Sequence, residues 1–149
     1  MIDHDDILIS LKPKHAENIF EGEKTVELRK RRPRIEPGTR IWIYATAPTA
    51  AIKGYANLVQ IQSGPPSLIW KNLGGRTGIS KDEFDSYFKA CTMAHALIIA
   101  DVMEMKQALS LNRIRELVND FHPPQFFCHL NGARKAMRLS SRKYQPIDR

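Results

Sequence analysis

The stretch ISLKPKHAENIFEGEKTVELRKRRP, residues 9–33, holds parts of three local structures and then loses regularity. Residues 6–11 (DILISL) are a short apolar run that suits a strand, closed by the turn-forming pair Lys12-Pro13. Over residues 14–21, Ala16, Ile19 and Phe20 recur at helical spacing on one face, and Gly22 stands where a helix C-terminus wants a residue of positive φ. Residues 25–29 then alternate: Val26 and Leu28 point one way, Thr25, Glu27 and Arg29 the other. The spacing therefore predicts a strand with one apolar and one charged face, with Lys24 just ahead of it. The following KRRPRIEPGTR breaks at Pro33 and Pro37-Gly38, and residues 40–45 (RIWIYA) are rich in the β-branched and aromatic residues that fill strands. A hairpin or bulged connection is expected to join these two strands.

Outward from this region, residues 53–61 read as a further strand, ended by Ser63-Gly64-Pro65-Pro66. Residues 67–73 suit a helical turn, and Gly74, Gly75 and Gly78 mark a flexible loop. Ser80 with Glu83 three residues on has the form of a capping box for a helix over 81–89. The apolar run 94–104 suits a buried strand, though periodicity alone also admits a helix there. Residues 110–121 carry Leu111, Ile114 and Val118 on one helical side, and Pro123-Pro124 forbids continuation. A last strand is expected over 125–130. Short strands mixed with helices, without regular βαβ units, favour an α+β domain around a mixed or antiparallel curved sheet.

Composition agrees with one globular domain: 149 residues, 42% hydrophobic and 26% charged. Cys91 and Cys128 stand far apart without metal-ligand spacing, so neither a disulfide framework nor a zinc site is expected. The acidic start MIDHDDILIS is unlike a signal peptide, and no apolar run approaches the roughly 20 residues that span a bilayer. Cytoplasm is the expected compartment, with no membrane partner. The formal charge of +7 is concentrated in residues 23–40 and 133–149. Clustered bases attract polyanions and release counterions from phosphate backbones, which makes nucleic acid the leading partner class. The same clusters also describe a solvated basic surface.

The segment of residues 9–33 resembles the N-terminal signature of the ASCH family in the PUA-like superfamily, whose motif GxKxxExR is met by Gly22, Lys24, Glu27 and Arg29. The preceding SLKPK, the strand RIWIYATAP and the later PPQFF extend the resemblance from about residue 8 to about 130. It implies a PUA-like curved β-barrel of about five to six strands flanked by helices, over residues 1–132, with 133–149 a basic C-terminal tail. It also implies a role in nucleic-acid binding, RNA preferred over DNA, at a basic cleft around the motif. Family members include ribonucleases, acetylcytidine amidohydrolases and candidate transcriptional regulators. A metal-independent ribonuclease is thus an alternative reading, as is a module that recognises a modified nucleoside or a protein. The amidohydrolases resembled here carry a threonine nucleophile three residues after the lysine. Glu27 occupies that place, which speaks against acyl-group chemistry.

Lys24 and Arg29 would hold phosphate oxygens, the lysine as a point charge and the arginine as a bidentate fork. Glu27 would accept from a base edge or a ribose 2′-OH or, in an enzyme, serve with Lys24 in catalysis as a general base. The alternative is a structural ion-pair cluster. Lys12 and Lys14 would add to the basic wall, and Arg31, Arg32 and Arg34 would make peripheral phosphate contacts. Tyr44, which shares a strand face with Trp42, is a candidate stacking platform, with half-buried core the competing reading. Gln125 would display an amide at the start of the last strand. Trp70, Phe84, Tyr87 and Phe88 are expected to pack helices on the sheet. The five histidines lack an HExxH or triad context, and no GK[ST] follows the glycines at 74–78, so no metal or cofactor is expected. The tail, with Arg134, Lys135, Arg138, Arg142 and Lys143, reads equally as a phosphate-contacting arm, a solubilising end or a basic helix.

Overall fold

A computed structural model describes residues 6–130 of the chain. The strands are β1 (Ile7–Leu11), β2 (Val26–Arg29), β3 (Arg40–Ala45), β4 (Ala51–Gly64), β5 (Ala94–Ser110) and β6 (Phe127–His129). The helices are α1 (Pro13–Phe20), α2 (Pro66–Leu73), α3 (Lys81–Tyr87) and α4 (Leu111–Leu117), with a 3-10 turn over Gly74–Arg76. The strands form one sheet in the order β2-β5-β4-β3-β1-β6, curled into a half-barrel. Among the described residues only β1 and β3 pair in parallel; every other neighbouring pair is antiparallel.

The topology corrects the hairpin expected between the second and third strands. β2 pairs with β5 at the far edge, whereas β3 lies between β4 and β1. The parallel β1–β3 pairing requires a crossover, and α1, β2 and the irregular segment after β2 make it. β4 and β5 also run longer than their apolar cores suggest. Register shifts at Ile52/Gly54, Tyr55/Asn57 and Leu58/Gln60 break their side-chain alternation, and such bulges increase twist and let long strands curl. Gly54 sits in one of these shifts, where a Cβ would come within 2.1 Å of the Met103 carbonyl oxygen and 2.7 Å of the Phe20 ring.

Both faces of the sheet are covered. Ile7, Ile9 and Leu11 of β1 join Ile41 and Ile43 of β3 and Ala16, Ile19 and Phe20 of α1 in one cluster. On the opposite face, Leu8, Trp42 and Tyr44 pack with Ile114 of α4, Phe121 and Leu130. A third cluster joins Val26 and Leu28 of β2 to Ile69, Leu73, Phe84 and Phe88 of α2 and α3. Trp42 Nε1 donates to Asp6 Oδ2 at 3.0 Å, which satisfies a buried ring N–H. Ser80 caps α3 and Ser110 caps α4, each accepting from the backbone N–H three residues on. α4 ends four residues earlier than its apolar pattern predicts, because Val118 turns extended and Arg115 Nε donates to the Phe121 carbonyl. Both cysteines are free and half-buried. Among the described residues no helix is long and apolar enough to cross a membrane. The basic tail lies outside the described residues.

Candidate functional site

α1 ends at Phe20, Gly22 with φ of +85° then turns the chain, and the Lys24 N–H donates to the Asn18 carbonyl. That turn delivers Lys24 to the start of the edge strand β2, where Val26 and Leu28 are anchored in the helix-covered cluster. Glu27 and Arg29 consequently project from the other face. Lys24 Nζ stands 3.2 Å from Glu27 Oε1 and donates to the Thr77 carbonyl at 2.9 Å, while Arg29 Nη2 donates to Glu27 Oε2 at 2.7 Å. One carboxylate thus bridges two cations. All three groups are buried, at 3, 7 and 9% relative exposure for Lys24, Glu27 and Arg29. Burial pushes the Glu27 carboxyl up, but the charges and hydrogen bonds of Lys24 and Arg29 outweigh it and hold the group below the ordinary glutamate value.

The trio forms one wall of a cleft of about 580 Å³, a size typical of ligand pockets. The cleft is also lined by Ser10, Lys12, His15, Tyr87, Gln125 and Phe126. The Ser10 N–H donates to the Phe126 carbonyl, which ties the loop before β6 to the rim. Phe126 is 60% exposed and Tyr87 38% exposed, so both rings are accessible. Lys30 Nζ lies 4.7 Å from the centre of the Tyr87 ring. Burial, followed by the Lys24 charge, lowers the His15 pKa and favours a neutral imidazole. Among the described residues, His15 Nδ1 and the Ser10 hydroxyl are buried without a hydrogen-bond partner.

Of the residues singled out from sequence, the fold brings Lys12, Lys24, Glu27, Arg29 and Gln125 to this cleft. Lys14 is exposed on α1 and does not line it; Arg31, Arg32 and Arg34 are exposed on the segment after β2. Tyr44 is 3% exposed and packed with Trp42 in the α4-covered cluster, away from the cleft lining. Thr25, expected beside Glu27, accepts instead from Arg76 Nε at 2.9 Å. Tyr87 corrects another expectation, because it stands at the cleft while its neighbours Phe84 and Phe88 pack inward. His15 and Phe126 were not selected from the sequence; their only signal is that His15 lies three residues after Lys12 and Phe126 directly after Gln125. Among the described residues no three His, Cys, Asp or Glu side chains converge as a metal site.

Comparison with known proteins adds to this geometry. Residues 7–128 match the family model described as a domain of unknown function, DUF365. An "ASCH domain-containing ribonuclease" of Zymomonas mobilis subsp. mobilis is 34% identical over 123 residues, spanning 83% of this chain and 82% of that protein. The crystal structure of ASCH from Zymomonas mobilis aligns with a TM-score of 0.86 at 31% identity, over 92% of this chain and 96% of that one. A part of the large ribosomal subunit protein uL22 of Ureaplasma parvum serovar 3 is 37% identical over 93 residues, 62% of this chain and 30% of that protein. By this family match, and by a half-barrel that aligns over nearly its whole length with a solved ASCH structure, the chain belongs to the DUF365 family and to the PUA-like ASCH domain proteins.

Proposed function

We propose that this protein binds single-stranded RNA in the cleft between α1, β2, α3 and the loop before β6. The observation that carries the reading is the buried Lys24–Glu27–Arg29 bridge at the wall of a cleft that also has two accessible aromatic rings. A lysine has three N–H donors and an arginine five. Glu27 and Thr77 take two from Lys24, and Glu27 takes one from Arg29. The remaining donors can hold a phosphodiester while Glu27 fixes both cations in place. Tyr87 and Phe126 supply π-faces for an unstacked base, and Gln125 offers an amide to its edge. Lys12 extends the positive wall. The relative named as a ribonuclease favours RNA over DNA as the ligand.

Fluorescence anisotropy with labelled single-stranded RNA, single-stranded DNA and duplexes tests this reading. Wild-type protein should prefer single-stranded RNA. Phe126→Ala, at an exposed position, should weaken binding by about 1–3 kcal/mol with little change in Tm, and Lys24→Ala with Arg29→Ala should abolish it. Absence of polynucleotide binding at about 100 mM salt, or full affinity in both variants, defeats the proposal.

Cleavage is a second reading, favoured by the relative's name and by a neutral His15 in the same cleft. With Glu27 held ionised by two cations, it is a weak base. In this reading His15 accepts the 2′-OH proton as the 2′-oxygen bonds to the adjacent phosphorus, the P–O5′ bond breaks and the leaving 5′-oxygen takes a proton from water, while Lys24 and Arg29 stabilise charge on the phosphate oxygens. Time-dependent product from the same RNA, lost in His15→Ala at matched folding, supports it. Binding without product rejects it.

A further inference from the structure

Beyond the cleft, three adjacent strands each place one residue in a single row. Arg29 of β2 is registered against His95 of β5, and His95 is registered against Ser63 of β4. Directly opposed residues of neighbouring strands project from the same face, so His95 and Ser63 continue the face that bears Arg29. Arg32 folds back on this row and its Nη1 donates to Ser63 Oγ at 3.0 Å. Ser63 Oγ in turn lies 2.7 Å from His95 Nδ1.

The polarity of this relay matters. Arg32 makes Ser63 Oγ an acceptor. In the Nε2–H tautomer of a neutral His95, the hydroxyl's own proton goes to His95 Nδ1 and the imidazole N–H stands at Nε2. The relay accordingly offers its surroundings the other guanidinium N–H groups and an imidazole N–H, all donors. Burial, then the Arg32 charge, lowers the His95 pKa, consistent with a neutral ring whose orientation Ser63 fixes. A group of oriented donors around one positive charge suits a phosphate oxygen.

We propose that Arg32, Ser63 and His95 form a phosphate subsite for the phosphodiester next to the nucleotide held in the cleft, so that the ligand is an oligonucleotide and not a free nucleotide. The inference rests on the cleft reading above and extends it one phosphate along the Arg29–His95–Ser63 row. It gives the ligand a direction across the end of the sheet, perpendicular to the strands.

The test compares a labelled RNA of about ten nucleotides, within single-strand site sizes, with a mixture of the four ribonucleoside 5′-monophosphates. Wild-type protein should bind the oligonucleotide at least tenfold more tightly. Arg32→Ala should weaken the oligonucleotide roughly 5- to 10-fold, reduce the salt slope by about 0.7, and leave the monophosphates unaffected. Ser63→Ala should produce a smaller loss of the same kind, since both flanking groups lose their bridge. Arg31→Ala is the control for charge without a relay and should change affinity less than twofold. Equal losses for Arg31→Ala and Arg32→Ala, with Ser63→Ala silent, would mean diffuse surface charge and overturn the subsite. Equal wild-type affinity for oligonucleotide and monophosphates, lost in Phe126→Ala, overturns the subsite while the cleft reading stands. Wild-type protein that binds neither ligand overturns both.

Discussion

Glu27 sets the behaviour of the cleft because its two oxygens serve two different cations. Removing one partner from a buried ionic group leaves the others uncompensated, at a cost of about 3 kcal/mol or more. Glu27→Gln keeps the size but withdraws the charge that offsets Lys24 and Arg29, so its Tm should fall by roughly 10 °C at neutral pH. The pH dependence has a definite sign. The folded carboxyl titrates below its ordinary value of 4.5, so its ionisation stabilises the fold fully above that pH. The contribution fades as pH falls from 4.5 towards the lower folded pKa. Thermal melts of wild type and Glu27→Gln should therefore differ most at pH 7 and converge as the pH is lowered through 4 to 3. A gap that persists undiminished at pH 3 would show that the bridge does not hold Glu27 ionised. The identities of Lys24, Glu27 and Arg29 were legible from their spacing, since alternation puts Glu27 and Arg29 on one strand face. Their burial was not, because it depends on Thr77, fifty residues on.

That dependence belongs to the scale of elements, where the turn between the 3-10 segment and α3 closes over Lys24. Thr77 Oγ1 donates to the Gly74 carbonyl at 2.7 Å, so the Thr77 carbonyl faces Lys24 from a fixed turn. Gly78 follows with φ of +74°, and a Cβ there would lie 3.2 Å from Lys24 Cβ. Gly78→Ala should therefore carry a left-handed backbone cost of about 1–2 kcal/mol and also displace the lysine. Melting and RNA-binding curves should both shift for Gly78→Ala. Gly75→Ala, where a Cβ meets nothing within 4 Å, should leave both within error. RNA affinity unchanged in a folded Gly78→Ala protein would detach this turn from the cleft. The glycines read from sequence as a flexible loop are thus a turn with a structural task. α1 and β3 were readable because their patterns are local, and the boundaries of β3 match the expected 40–45. The placement of β2 against β5 was not, because strand pairing across some seventy residues leaves no local trace. Bulges in β4 and β5 hid the strand ends for a related reason: each one resets the alternation on which the reading depends.

At the scale of the whole molecule, the half-barrel gathers residues from the β1–α1 turn, β2, α3 and the loop before β6 at one cleft, although Lys12 and Phe126 stand more than a hundred residues apart. Charge clustering in residues 23–40 could not separate Arg29, which lines the cleft, from Arg31, which is exposed outside the lining. The aromatic rings were harder still, since Tyr44 and Tyr87 both occur among apolar neighbours and only packing sends the first to the core and the second to the cleft. The proposed ligand path meets three phosphates, at Lys12, at the Lys24–Arg29 pair and at Arg32, and this number has a measurable consequence. For single strands the slope of log K against log salt is about −0.7 per neutralised phosphate, so three contacts give about −2.1. Affinity for single-stranded RNA should then fall roughly 20-fold between 50 and 200 mM monovalent salt. Substituting Arg32 should flatten the line by one contact, whereas Phe126→Ala should lower the whole line without changing its slope, because stacking releases no counterions. A wild-type slope shallower than about −1 would leave room for a single phosphate, and the path across the sheet would have to be abandoned.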